Sequence, residues 1–239
     1  MKRQLTVVLF VIAFFGWNQS VRAGEITGTV TYEGEAPKLK PLKMDADPIC
    51  VGKHTEDVMP QSIVLSERNT LGNIFVYVKS GLPKTNFPVP TEPVVINQQG
   101  CMYTPHVIGV MAGQPVKILN PDGTLHNVHA LSKAKANPEF NLAMPKFRTE
   151  ITTVFKEPEF MFPIKCDVHP WMGAWVTVMA HPYFAVTGVD GKFTIPKLPP
   201  GTYEVEAWHE KLGTQSASIT ITGDEKQEAN FKFSRPAEK

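Results

Sequence analysis

CDVHPWM, residues 166–172, sets a thiol, an imidazole and a thioether at intervals of three. A helix would carry Cys166, His169 and Met172 to roughly one side, but Pro170 opposes a helix because it lacks an N–H and clashes with the preceding turn. A strand would send Cys166 and His169 to opposite faces. What remains is a tight loop between two strand-like runs, FPIKC before it and AWVTVMA after it. Such a loop can converge all three donors on one point.

Donor softness narrows the metal. Zinc takes Cys and His but rarely a thioether, and its closed sites usually need four Cys or His donors. One thiolate, imidazoles and a weak Met match instead the trigonal His₂Cys copper site with an axial Met that serves electron transfer. That site needs a second imidazole, and NPDGTLHNVHA (120–130), some forty residues upstream, offers two. His126 and His129 lie three apart on a strand and so face opposite ways.

Around these motifs strand-like runs follow closely: Val94–Asn97, Val107–Val110, Pro115–Leu119, Asn127–Ala130, Glu150–Phe155, Glu159–Ile164 and Trp175–Met179. Short strands at this spacing indicate a sandwich or barrel. From about Pro93 to His181 the chain resembles the cupredoxin family, and within it the amicyanin-like branch. CDVHPWM has that branch's C-x-x-H-x-x-M spacing with Pro after the His, and His126-Asn127-Val128-His129 matches its upstream HNVH stretch. The resemblance implies a Greek-key sandwich binding one type 1 copper, with His126, Cys166 and His169 as equatorial ligands and Met172 as the axial one. It implies that Asn127 ties the two ligand loops, its backbone near the Cys166 sulfur. It further implies transfer of single electrons, with an amine dehydrogenase as donor and a c-type cytochrome as acceptor. Two stretches depart from the family: EPEFMFPIKC lacks its usual Gly-x-Tyr before the ligand Cys, and residues 130–150 are this chain's own.

GTVTYEGEAP, NIFVYVKSG and GVDGKFTIPKLPPGTYEVEAW resemble successive strands of the carboxypeptidase-regulatory, transthyretin-like sandwich, the last as a hairpin. About a hundred residues interrupt that order. The expected class is therefore all-β, with two sandwiches: residues 24–92 with 182–239 form the outer one, and 93–181 form a cupredoxin inserted into it, since surface loops accept insertions. A tandem of an enlarged cupredoxin up to His181 and a small C-terminal sandwich stays open.

Residues 1–23 read as an export signal. Lys2 and Arg3 precede an apolar run from Leu5 to Trp17, and VRA offers small residues for cleavage. The run is too short for a spanning helix, so no transmembrane anchor is expected after cleavage, and the periplasm is the expected compartment. Losing Lys2, Arg3 and Arg22 from 24 basic residues leaves 21 against 23 acidic ones. That balance argues against nucleic acid as a partner, which needs a basic face. An oxidising compartment favours pairing Cys50 with Cys101 and leaves Cys166 alone. CVGKH and CMYTPH also allow a second metal site from Cys50, His54, Cys101 and His106. His181 and His209 read as ordinary histidines of the outer part, and Trp171 and Trp175 as either core or an apolar rim. The chain carries no G-x-S-x-G, phosphate-cradling glycine loop or second His cluster, and the expectation is a carrier, not an enzyme. Copper delivery is the alternative reading.

Overall fold

Residues Gly24–Glu33 alternate apolar and polar side chains, which buries Ile26 and Val30 on one face of a strand. This is β1 of a computed structural model that describes residues 23–235. The expected export signal lies outside them except for Ala23. In chain order there follow a short helix α1 (Pro48–Val51), β2 (Phe75–Ser80), β3 (Val94–Asn97), β4 (Val107–Met111), β5 (Pro115–Leu119), β6 (His126–Ala130), β7 (Phe140–Met144) and β8 (Glu150–Val154). Then come β9 (Glu159–Lys165), β10 (Gly173–Met179), β11 (Phe184–Val186), β12 (Lys192–Leu198), β13 (Gly201–His209), β14 (Gly213–Ile221), β15 (Lys226–Glu228) and β16 (Phe231–Ser234). No helix among the described residues is long and apolar enough to cross a membrane.

The strands build two sandwiches, the all-β class expected from the sequence. In the first, β1 lies between β12 and β15, with β16 also paired to β1, and a sheet of order β11-β2-β13-β14 covers it. Ile26, Val30, Val76, Val78, Ile195, Tyr203, Val205 and Phe233 fill the space between. Every strand that pairs with β1 comes from beyond residue 182. Gly28 permits this closeness, because a Cβ there would stand 1.9 Å from the carbonyl oxygen of Ala229. In the second sandwich the sheet β4-β10-β9-β6-β7 faces the sheet β3-β5-β8. Ile96, Val110, Ile118, Val128, Phe162, Ile164 and Val176 form its core.

Two local readings change. LPPG was expected to close a hairpin, yet β12 pairs with β1 while β13 pairs with β2 and β14. The two prolines carry the chain across the core from one sheet to the other, because Leu198 and Tyr203 must both point inward. The segment Leu42–Val58, placed by sequence with the outer sandwich, packs instead on the second one. Leu42 N donates to Val58 O at 2.8 Å, and Met44 and Cys50 join the second core. Its apolar residues show no strand period, so only a surface formed by distant strands could cover them.

The sandwiches meet through aromatic side chains. Tyr77 of β2 lies 5.1 Å from Phe160 of β9, and Trp175 of β10 lies 5.5 Å from Trp208 of β13, measured between ring centroids. Beside this contact His106 bridges the two bodies, with Nδ1 on the carbonyl of Gly173 at 3.0 Å and Nε2 on Glu210 Oε1 at 2.5 Å.

Candidate metal centre

β6 and the β9–β10 loop bring the predicted donors together. His126 is the first residue of β6, and Cys166 follows β9. The loop is closed by its own backbone: Met172 N donates to His169 O at 2.9 Å, and Cys166 N donates to Met172 O at 3.1 Å. Pro170 sits inside this turn, where its missing N–H costs nothing. His126, Cys166, His169 and Met172 are all at most 2% exposed. The ligand atoms of His126, Cys166 and His169 lie within 4.8 Å of one another. His129 turns away to Asp167 (2.9 Å) and Glu139 (2.8 Å) at the surface.

The imidazoles are held from behind. Nε2 of His126 donates to Asp122 Oδ2 at 3.0 Å, and Nε2 of His169 donates to Asp47 Oδ2 at 2.9 Å. With both Nε2–H bonds committed to carboxylates, each ring presents a lone pair at Nδ1. The two Nδ1 atoms stand 2.9 Å apart. Two bare lone pairs at that distance repel, so the arrangement calls for a cation at the Nδ1 edge, either a proton or a metal ion. Burial pulls the His126 pKa down, but Asp122 and Cys166 outweigh it and leave it raised. Burial likewise pushes the Cys166 thiol up, yet His126 and the backbone amides of Asn127, His169 and Val168 bring it down to about 7. A thiol of lowered pKa and two imidazoles, with the buried Met172 in the same loop, make a soft donor set of the kind copper takes.

Asn127 ties the two ligand segments. Its Oδ1 accepts from the Cys166 thiol (3.3 Å) and from the Asp167 amide (2.7 Å), while its own amide approaches the sulfur. Three residues that sequence reasoning missed complete the frame. Buried Tyr103 donates to the carbonyl of Asn127 at 2.6 Å and reaches that of Lys165 at 3.3 Å, joining the strands that carry His126 and Cys166. Asp122 accepts from the amides of Gly100 (2.9 Å) and Cys101 (2.7 Å) and pairs with Lys53 at 3.2 Å. Burial raises its pKa, but His126, these amides and Lys53 win and hold it at about 2. Its one sequence signal is the turn NPDG four residues before His126. Asp47 caps α1, accepting from Ile49 N at 2.8 Å through Oδ1, and nothing near it in the sequence marks its second role.

Cys50 and Cys101 are joined by a disulfide. The four-residue metal set with His54 and His106 does not form: His54 bonds the Gly100 carbonyl at 2.8 Å, and both nitrogens of His106 are engaged at the interface. Trp171 is half-buried, with Nε1 on the Cys101 carbonyl at 3.1 Å and its ring 5.1 Å from that of His169. Trp175 belongs to the contact between the sandwiches.

A family model for the carboxypeptidase regulatory-like domain matches residues 168–234. The match begins inside the ligand loop and takes in β10, a strand that the sheets assign to the second sandwich. Among solved structures, amicyanin in a Cu(I) form aligns with 22% identity over 44% of this chain and 98% of its own, at a TM-score of 0.33. A reduced amicyanin mutant aligns with 24% identity over the same shares at 0.32. A Cu-containing nitrite reductase from Thermus scotoductus SA-01 aligns with 16% identity at 0.33, over 42% of this chain and 25% of the reductase. The chain thus spans a quarter of the length of that enzyme. A search of curated proteins finds no match to the chain.

Proposed function

We propose that this protein is an exported blue copper protein that carries single electrons between redox partners. His126, Cys166 and His169, together with Met172, would hold the ion. One observation carries the reading: Nε2 of each imidazole rests on a carboxylate, which turns both Nδ1 atoms toward the one buried spot where the lowered-pKa thiol also lies. Copper bound there supplies a one-electron couple. The residues around it supply rigidity: Asn127 and Tyr103 fix the spacing of the two ligand segments, which keeps the geometry similar in both oxidation states. Four protein donors leave no place for a substrate, which favours a carrier over an enzyme. Ligands this deeply buried also disfavour handing the metal on as cargo. Suitable partners are redox proteins of the periplasm, such as a dehydrogenase and a c-type cytochrome.

Loading purified protein with copper tests this. An intense blue colour is expected in the oxidised state, lost in Cys166→Ser because thiolate-to-copper charge transfer produces it. Met172→Gln should keep copper and lower the potential, since a stronger oxygen donor favours Cu(II). Colour retained in Cys166→Ser would overturn the assignment.

A further inference from the structure

His169 is sealed by a segment more than a hundred residues away in sequence, which packs on the same sandwich. The strap Leu42–Val58 crosses its outer edge, leaving the residue 1% exposed. Two atoms of the strap meet Nε2: Asp47 Oδ2 at 2.9 Å and Cys50 Sγ at 3.6 Å. The strap is pinned at this point in two ways. Its disulfide runs to Cys101, whose own amide holds Asp122 behind the other imidazole, and Thr124 Oγ1 lies 3.4 Å from Asp47 Oδ2. Asp47 itself is oriented by capping α1 through its other oxygen. Both imidazoles therefore rest on carboxylates, one from the ligand's own turn and one delivered across 122 residues of sequence.

We propose that Asp47 is a positioning residue for the copper centre: it fixes His169 as the Nε2–H tautomer, aims Nδ1 at the metal, and its charge lowers the copper potential. The proposal rests on the copper reading above. A carboxylate behind a ligating imidazole raises its basicity and fixes its ring, and removing such partners typically lowers metal affinity by about 10–100-fold. A negative charge close to the metal favours Cu(II) over Cu(I).

Two variants test orientation and charge. Asp47→Asn removes the charge and has one oxygen where Asp47 uses two: with that oxygen kept on the Ile49 amide, the new NH₂ faces Nε2 and favours the opposite, Nδ1–H tautomer. Asp47→Ala removes the carboxylate with nothing in its place. In metal-free protein, nitrogen NMR of His169 should show the Nε2–H tautomer in wild type, a mixture of tautomers in Asp47→Ala, and a shift toward Nδ1–H in Asp47→Asn. In competition titrations Asp47→Ala should bind copper about 10–100-fold more weakly. The potential should rise in both variants. A His169 tautomer unchanged in Asp47→Ala, or affinity within threefold of wild type together with an unmoved potential in Asp47→Asn, would overturn the proposal. The tautomer measurement needs no copper, so a chain that binds none would sink the copper reading while still reporting on Asp47.

Discussion

Replacing Cys50 and Cys101 together by alanine tests how the strap and the two sandwiches are coupled. The disulfide closes a loop of 51 residues. That loop is not idle: it runs out from the strap, passes through β2 in the outer sandwich, and returns by β3 to the second one. Cutting it frees the unfolded chain far more than the folded one. Loop-closure entropy for that length amounts to about 4 kcal/mol at room temperature. Both sulfurs are fully buried, so the space they leave acts in the same direction. For a chain of this size about 2–4 °C of melting temperature follows each kcal/mol, so calorimetry of the metal-free double variant should show a fall of about 8–16 °C. Urea unfolding should give the same loss as a lower midpoint. A midpoint within a degree or two of wild type would refute the reasoning, because the unfolded chain would then have been restrained by something other than the bond.

Two further outcomes are expected. Gly109→Ala places a methyl 2.5 Å from Cε2 of Phe184 and 2.7 Å from Cε2 of Phe75, inside the contact between the sandwiches. It should cost about 1–3 kcal/mol in denaturant unfolding and leave copper colour intact; unchanged stability would mean the aromatic contact is loose. Burial pulls His209 down from 6.5 to about 4, with Glu210 opposing and His106 and Lys211 assisting. The unfolded chain takes up this proton before the folded one does. Stability from His209 is therefore full above pH 6.5 and is lost as pH falls toward 4, by about 3 kcal/mol. His209→Asn can still accept from the amides of Lys211 and Leu212 but carries no proton, and should flatten that part of the pH profile. Equal acid slopes in the two proteins would exclude His209 as the cause.

How much was legible in the sequence depends on the range of the interaction. Strands β3 and β5 stand where apolar alternation puts them, because a side-chain period of two is a local property of the backbone. The spacing of Cys166, His169 and Met172 around Pro170 is local as well: seven residues contain the donors and the residue that denies them a helix. The polar, edge-exposed β14 and the three-residue β15 carry too few apolar residues to signal themselves, and they form because a neighbouring strand offers unpaired N–H and C=O groups. The choice of His126 over His129 was set by family resemblance in the sequence, and in the fold it follows from which face of β6 meets the core. Tyr103, Asp122 and above all Asp47 were out of reach. A tyrosine that bonds two carbonyls looks like any core tyrosine, and an aspartate that caps a short helix already has a sufficient local role. The sequence by itself determined the all-β class and the close spacing of Cys166, His169 and Met172, because periodicity and the loop's seven residues are written locally. Only the tertiary structure decided that Leu42–Val58 lies over His169, because that placement depends on a disulfide and an apolar surface assembled from segments that meet only once the chain has folded.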